Sequence, residues 1–257
     1  MPFDRIRYGT DEAGVATITL DRPEKRNALD GQTVADLRRA LAEAVGGGEA
    51  RVVVLRGAGP DFCAGADLVE MERMAGDGDP MHNLSDARAL GDLFIEMRRC
   101  PLPIVAAVHG NAIAGGAGLA TACDLVLARD DAVFGYPEVH LGFVPAMVMA
   151  ILRRSVSEKV AFELVARGER ISAAEAERLG LVNRVLGLDG FDDEVREYAA
   201  GLAARSSSAV ALIKRLLYGM DGLAFEEAIA RGAEVNVLAR LTQDARQGVH
   251  RFLEKNR

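Results

Sequence analysis

Residues 110–124 read "GNAIAGGAGLATACD", with Gly115, Gly116 and Gly118 crowded into an apolar run that holds no reactive acid or base before Asp124. The flanking segments "PIVAAVHG" (103–110) and "DLVLA" (124–128) are short, aliphatic and bounded by Pro, Gly or Asp, so they read as buried strands. A short helix over Gly116–Ala122 between them would leave its unpaired N–H groups and the positive end of its dipole at Gly115 and Gly116. Such a helix start attracts negative charge, and here it is made of bare backbone. Neither G-x-G-x-x-G nor Gly-Lys-Ser/Thr is present, so the phosphate-loop patterns do not apply. Glycine chosen for tight helix–sheet packing would explain the same letters.

Outward from this stretch, "GVATITL" (14–20) and "RVVVLRG" (51–57) also read as strands, and helical patterns lie between. In "TVADLRRALAEAV" (33–45), Val34, Leu37, Leu41 and Val45 share a face, and Gly46–Gly48 ends the helix. "SDARALGDLFIEMRR" (85–99) predicts a helix capped by Ser85 and stopped before Pro101. After about residue 145 the strand signal fades. A helix capped by Ser172 and Glu175 stops at Gly180, and further helices are predicted near 192–204, 207–219 and 224–254, the last broken near Thr242. The pattern is an α/β core followed by a helical tail. Within that tail Phe225, Ile229, Val237, Leu238 and Leu241 supply apolar surface, either for their own core or for a neighbouring subunit.

Composition narrows the function. With 49% hydrophobic and 27% charged residues, the chain has the balance of a soluble globular protein. Its apolar runs fall far short of the ~20 residues that span a bilayer, and "MPFDRIRYGT" lacks a signal peptide's apolar core. Cys63, Cys100 and Cys123 stand in apolar contexts without C-x-x-C spacing, which fits a reduced, cytoplasmic setting and small core residues. No spacing of His, Cys or acids suggests a metal. The net charge is −7, from 31 basic and 38 acidic residues with no basic block, which speaks against a nucleic-acid partner. An anionic ligand would have to be held locally, by a few cations and backbone donors.

Two further motifs bear on chemistry. "PDFCAGADL" (60–68) follows a strand and turns at Gly65, which leaves free N–H groups beside the small side chains of Ala64 and Ala66; a plain strand–loop–helix turn capped by Asp67 is the simpler account. In "FGYPEVHLGFVPAM" (134–147), Glu138 stands alone in apolar surroundings, where a carboxyl's pKa rises toward neutrality. Taken in chain order, a strand-end N–H, a helix-start N–H and an isolated acid compose an oxyanion hole with a proton-transfer group beside it. His109 and Asp124, both at strand ends, read as structural.

These motifs also carry a resemblance. With "RPEKRNAL" (22–29), "FCAGADL" (62–68), "AAVHGNAIAGGAGLATACDLVLA" (106–128), "PEVHLGFVPA" (137–146) and "GERISAAEAERLGLVNRV" (168–185), the chain is identified as a member of the crotonase (enoyl-CoA hydratase/isomerase) superfamily, nearly end to end. The resemblance implies a crotonase-like spiral of ββα units over 1–195 and a C-terminal helical region over 196–257 that mediates trimerisation, often with hexamers built from two trimers. It implies an acyl-CoA thioester substrate and no cofactor beyond the CoA that the substrate carries. By position, the oxyanion-hole donors would be the N–H groups of Ala66 and Gly115. Glu24, Lys25, Arg26, Ala64, Asp67 and Leu68 would line the CoA path, with Gly116 at the same helix start. Lys255 would reach a CoA on an adjacent subunit. Two departures stand out. Two-acid hydratases carry one Glu where this chain has Gly118 and another where it has Glu138, and the family's usual Pro-Gly after the second acid is Pro145-Ala146 here.

The resemblance therefore implies reversible hydration of a 2-enoyl-CoA to a 3-hydroxyacyl-CoA, with Glu138 as the single acid. The alternatives are a Δ3,Δ2-enoyl-CoA isomerase, a branched-chain hydratase of the methylglutaconyl-CoA type and, from another class, a non-catalytic acyl-CoA-binding protein. The acyl chain is expected to meet segment 69–99, where "AGDGDP" (75–80) reads as mobile. Leu90, Leu93, Phe94 and Met97 would either line a pocket there or belong to the core.

Overall fold

A computed structural model describes residues 2–76 and 79–255. The first half of the chain runs β1 (Ile6–Thr10), β2 (Val15–Leu20), α1 (Gly31–Gly46), β3 (Val52–Gly57), α2 (Leu68–Gly76) and α3 (Pro80–Arg99). It continues through β4 (Ile104–Val108), β5 (Asn111–Ile113), α4 (Gly115–Ala122), β6 (Leu125–Arg129), β7 (Val133–Gly135), α5 (Ala146–Ser155) and α6 (Glu158–Arg167). Then come β8 (Arg170–Ser172), α7 (Ala173–Leu179), β9 (Arg184–Leu186), α8 (Phe191–Ala203), α9 (Ser207–Gly219), α10 (Phe225–Leu241) and α11 (Gln243–Lys255).

The Val-rich segments are apolar at every position because both of their faces are covered. They form a sheet in the order β1-β2-β3-β4-β6-β9, parallel except at its β1 edge. Along β3 the side chains alternate: Val53 and Leu55 enter a core that also holds Leu37 and Leu41 of α1, Leu93 and Met97 of α3, and Leu119 of α4. Val52 and Val54 point the other way, where Phe191, Val195, Ala199 and Ala203 of α8 cover the sheet.

A smaller sheet, β5-β7-β8, lies alongside, extended by single bridges from Cys63 to Ala112 and from Leu29 to Ala66. The chain visits the two sheets in turn. It contributes β3, then Cys63, then α2; β4, then β5, then α4; and β6, then β7, then α5. This repetition is the expected spiral of ββα units.

One expectation needs correction. The helix predicted over 85–99 starts at Pro80, because Asp79 accepts a bond from the Met81 amide at 2.9 Å and Pro80 fits the first helical turn. Ser85 lies inside it. Of the two readings left open for Leu90, Leu93, Phe94 and Met97, the structure gives the core: Leu93, Phe94 and Met97 are buried in it and Leu90 packs against it. Of the segment expected to be mobile, residues 75–76 end α2 and Pro80 opens α3, while 77 and 78 lie outside the described residues. Helix α8 spans the expected division between 195 and 196 and packs on the sheet along its length.

The tail is fastened by a buried ion pair. Lys214 of α9 is 6% exposed, and its ammonium donates to Asp124 at 2.6 Å, Met97 O at 2.9 Å and Leu102 O at 3.0 Å. Asp124 also accepts from Tyr218 at 2.7 Å and from the Ile104 amide at 2.7 Å, so it is structural, as expected. By contrast Phe225, Ile229, Val237, Leu238 and Leu241 of α10 all remain exposed, so packing within the chain does not account for them. Among the described residues no helix is long and apolar enough to cross a membrane.

Candidate active site

Three segments of the small sheet run parallel and leave it at the same end. Cys63 pairs with Ala112, and Ala112 pairs with Phe134. Three residues on from this row stand Ala66, Gly115 and Pro137, and Glu138 follows Pro137. The register thus starts the Ala66, Gly115 and Pro137 segments from the same end of the small sheet, at the carboxyl end of parallel strands, where α/β folds bind ligands.

Ala66 owes its free amide to the bridge with Leu29. Leu29 N donates to Gly65 O at 2.7 Å and Asp67 N donates to Leu29 O at 2.9 Å. Those ladder bonds use the neighbours of Ala66 and turn its own N–H to the opposite side. Gly115 is the first residue of α4, so its N–H has no partner within the helix. Among the described residues, neither N–H donates to a protein acceptor. The two lie close, since a β-carbon on Gly115 would be 3.7 Å from Ala66 N.

Backbone contacts that only glycine allows hold this arrangement. At Gly65, φ is +97° and a β-carbon would come within 2.9 Å of Ile113 O. At Gly116 it would lie 2.2 Å from Cys63 O, so α4 seats on the strand before Ala66 only because nothing projects there. Ala114 adopts φ 52° and ψ −125°, an uncommon geometry for a residue with a β-carbon. It is fixed by its amide, which donates to Gly135 O at 2.8 Å, and by its carbonyl, which accepts from Gly118 N at 2.9 Å.

Glu138 sits in a 3₁₀ turn, Pro137–Leu141, half-buried. Its Oε2 is buried and has no hydrogen-bond partner. Burial pushes the carboxyl above the ordinary Glu range, and the residue's own backbone N–H offsets this only in part. Two residues earlier, Tyr136 is fully buried and its hydroxyl bonds Thr121 Oγ1 of α4 at 2.9 Å. Burial pushes that phenol up to about 12 against the Thr121 bond, and the charge of Glu138 adds to the rise. Tyr136 therefore stays neutral and fastens the Glu138 turn to α4.

The proposed CoA loop has a different character. Glu24, Lys25 and Arg26 are exposed on a turn beginning at Pro23, but Arg26 Nε donates to Asp61 at 2.7 Å. Asp61 is buried and also accepts from the Asn111 amide at 3.0 Å and from Asn111 Nδ2 at 2.5 Å. Burial would raise its carboxyl, yet Arg26 and Asn111 together hold it below the usual range. Asp67 accepts from Arg22 Nη2 at 3.0 Å and caps α2 through the Val69 and Glu70 amides. Arg26 and Asp67 thus have protein partners that fix the loops, and Glu24, Lys25, Ala64 and Leu68 are the nearer candidates for ligand contact. Gly116 serves packing, and Lys255 ends α11, exposed.

Sequence reading missed Arg22, Asn27 and Asp61. Buried Arg22 joins Asp30 at 3.1 Å to Asp67, and Asn27 Nδ2 donates to Ala58 O and to Asp61 O, each at 2.8 Å. The signal available was a dense polar run, "DRPEKRN", directly after an apolar strand. His109 turns away to Gly59 O at 2.9 Å, and burial lowers its pKa, so it reads as structural. All the cysteines are buried and free, with the Cys63 thiol pushed up to about 12 by burial. Among the described residues no cluster of His, Cys, Asp or Glu could hold a metal.

The family described as enoyl-CoA hydratase/isomerase matches residues 10–257. The chain belongs to the enoyl-CoA hydratase/isomerase family. It is similar to a Thermus thermophilus protein that bears an enoyl-CoA hydratase name, at 39% identity over 245 residues, covering 95% of this chain and 96% of that one. It is also 34% identical to the 2,3-dehydroadipyl-CoA hydratase of Escherichia coli over 242 residues, covering 94% and 92%. The crystal structure of an enoyl-CoA hydratase of Mycobacterium smegmatis superposes with a TM-score of 0.92 at 33% identity, covering 98% of this chain and 97% of that one. Within this enoyl-CoA hydratase/isomerase fold, the position of the missing acid, Gly118, is buried in α4 against Val148 of α5.

Proposed function

We propose that the protein hydrates a 2-enoyl-CoA to a 3-hydroxyacyl-CoA. What supports this reading is the pair of free amides, Ala66 and Gly115, set close together, and the buried carboxyl oxygen of Glu138 that lacks a partner on the turn after β7. The thioester oxygen accepts both N–H bonds, and they stabilise the negative charge that develops as water attacks C3. Losing one donor of this kind costs about 3 kcal/mol in transition-state stabilisation. Glu138 takes a proton from the water and returns it to C2, so the carboxylate is regenerated. Its raised pKa suits both halves of that exchange.

The single acid allows a second reading, Δ3,Δ2-enoyl-CoA isomerisation, in which Glu138 carries a proton from C2 to C4 through the same enolate and no water is bound. A CoA chain would pass Glu24, Lys25, Ala64 and Leu68, and the reading needs no cofactor beyond that CoA. The exposed apolar residues of α10 support a homotrimer, or a hexamer of two trimers, in which Lys255 approaches a neighbour's CoA.

Crotonyl-CoA and 3-hexenoyl-CoA, each incubated with the protein and followed for both products, test the proposal. Formation of 3-hydroxybutyryl-CoA supports hydration; a shifted double bond alone favours isomerisation. Glu138→Gln distinguishes both from a non-catalytic binder, because a catalyst loses turnover and keeps CoA thioester binding.

A further inference from the structure

The sheet face covered by α8 ends in a cavity of about 640 Å³ at the carboxyl ends of β3, β4 and β6. Arg56, His109 and Arg129 line it, each two residues beyond Val54, Ala107 and Leu127, which pack beneath α8. The alternation of side chains along a strand sets these three on the opposite face from Leu119 and α4, the helix that Gly115 opens. The walls suit an oxyanion. The Arg56 and Arg129 side chains are 30% and 28% exposed. The first turn of α8, from Gly190, lines the cavity without a side-chain cap, which leaves N–H groups free at the positive end of the helix dipole. His109 is 5% exposed; its Nε2 donates to Gly59 O at 2.9 Å, and its Nδ1 is buried with no partner. The acids nearby already have cations. Asp192 accepts one bond from Arg56 at 2.9 Å, Asp131 accepts two from Arg129 at 2.7 and 2.6 Å, and Asp193 accepts from Arg196 at 2.7 Å. At the rim Arg7 pairs with Asp21 at 3.0 Å. Pairs this exposed hold weakly, and the unused N–H groups of Arg56 can take further oxygens.

We propose that this cavity is a second ligand site, separate from the acyl-CoA site, which binds the phosphate group of a small phosphorylated molecule through Arg56, Arg129 and the start of α8. The donors come from three elements around the cavity, β3, β6 and α8, as a tetrahedral group with three free oxygens requires. The volume exceeds that of a bare phosphate, and Thr17 and Thr19 on the wall offer hydroxyls to the rest of the molecule. His109 reports occupancy. Burial holds its pKa below the ordinary His range, and the charges of Arg129 and Arg56 lower it further, against the bond to Gly59. An anion bound between those arginines offsets their charge, so the pKa of His109 rises.

The test titrates inorganic phosphate into the full chain at constant ionic strength, with chloride as the control, while nuclear magnetic resonance follows the His109 ring. His109→Gln assigns the signal. A saturable shift with phosphate, and a higher pKa for His109 when phosphate is bound, are expected. Arg56→Gln combined with Arg129→Gln should weaken phosphate binding about tenfold or more, the scale of one lost charge-assisted hydrogen bond. Asp192→Asn should tighten it, because a competing carboxylate is gone. Melting temperatures check that each variant folds, and the single arginine substitutions serve if the double variant does not. A His109 signal that phosphate leaves unmoved would overturn the site, and so would phosphate binding that survives the arginine substitutions unchanged. Saturating CoA separates the two sources of a phosphate group. A His109 response that persists with CoA bound supports a separate site; one that CoA abolishes assigns these residues to the CoA nucleotide and overturns the proposal.

Discussion

Glu138 carries opposing demands. Its folded carboxyl titrates above its unfolded value because burial disfavours the anion. The stability linked to this group is therefore fully present below the unfolded pKa and is lost as pH rises through the folded one. Glu138→Gln should raise the melting temperature more at neutral pH than in acid, while reducing turnover by about 10²-fold or more. Scanning calorimetry across pH, with an enoyl-CoA assay, checks both halves. In wild type, activity should fall as pH drops through a value above the ordinary Glu range. Asp61 behaves in the reverse sense. Arg26 and Asn111 hold it low, so its contribution is present above the unfolded pKa and fades as pH falls through the folded one. Asp61→Asn should lower stability at neutral pH and loosen the loop that bears Lys25, read as weaker CoA binding.

At the scale of elements, α9 depends on its buried lysine. Lys214→Met removes the cation that faces Asp124 and strands a carboxylate 12% exposed, so it should destabilise the protein by about 3–5 kcal/mol in urea titrations. Much of the fold was legible in the sequence. Segments 14–20, 51–57, 103–110 and 124–128 proved to be strands, and the unbroken apolar runs in the last three need cover on both faces. α9 matches its predicted span, and α10 and α11 meet at Thr242 as expected. What escaped were β1, a five-residue edge strand fully buried only at Ile6, and β5, β7, β8 and β9, of three residues each, too short for any period to register. The candidate site depends on those pieces, since β5 and β7 pair Ile113 with Gly135, just ahead of Gly115 and of the turn that carries Glu138. The glycines and the lone acid could be picked out from sequence; their shared register could not, because parallel pairing joins residues far apart in the chain. The Ser85 cap failed for a simpler reason, as Asp79–Pro80 is the stronger start.

For the whole molecule, the outward face of α10 remains bare in a single chain. Ile229 and Leu238 are 60% and 48% exposed. On the proposed oligomeric reading, this apolar surface is where subunits meet. Sedimentation should give the mass of a trimer or hexamer, and Ile229→Asp with Leu238→Asp should give monomers that still fold by circular dichroism. A wild-type monomer at all concentrations would remove the interface. The proposed chemistry requires only that two amides polarise one thioester, and that can be observed without turnover. Crotonyl-CoA with a carbon-13 thioester carbonyl, bound to the Glu138→Gln protein, should give a difference infrared band shifted to lower wavenumber than in free solution. A bound carbonyl absorbing at the free position would contradict the account.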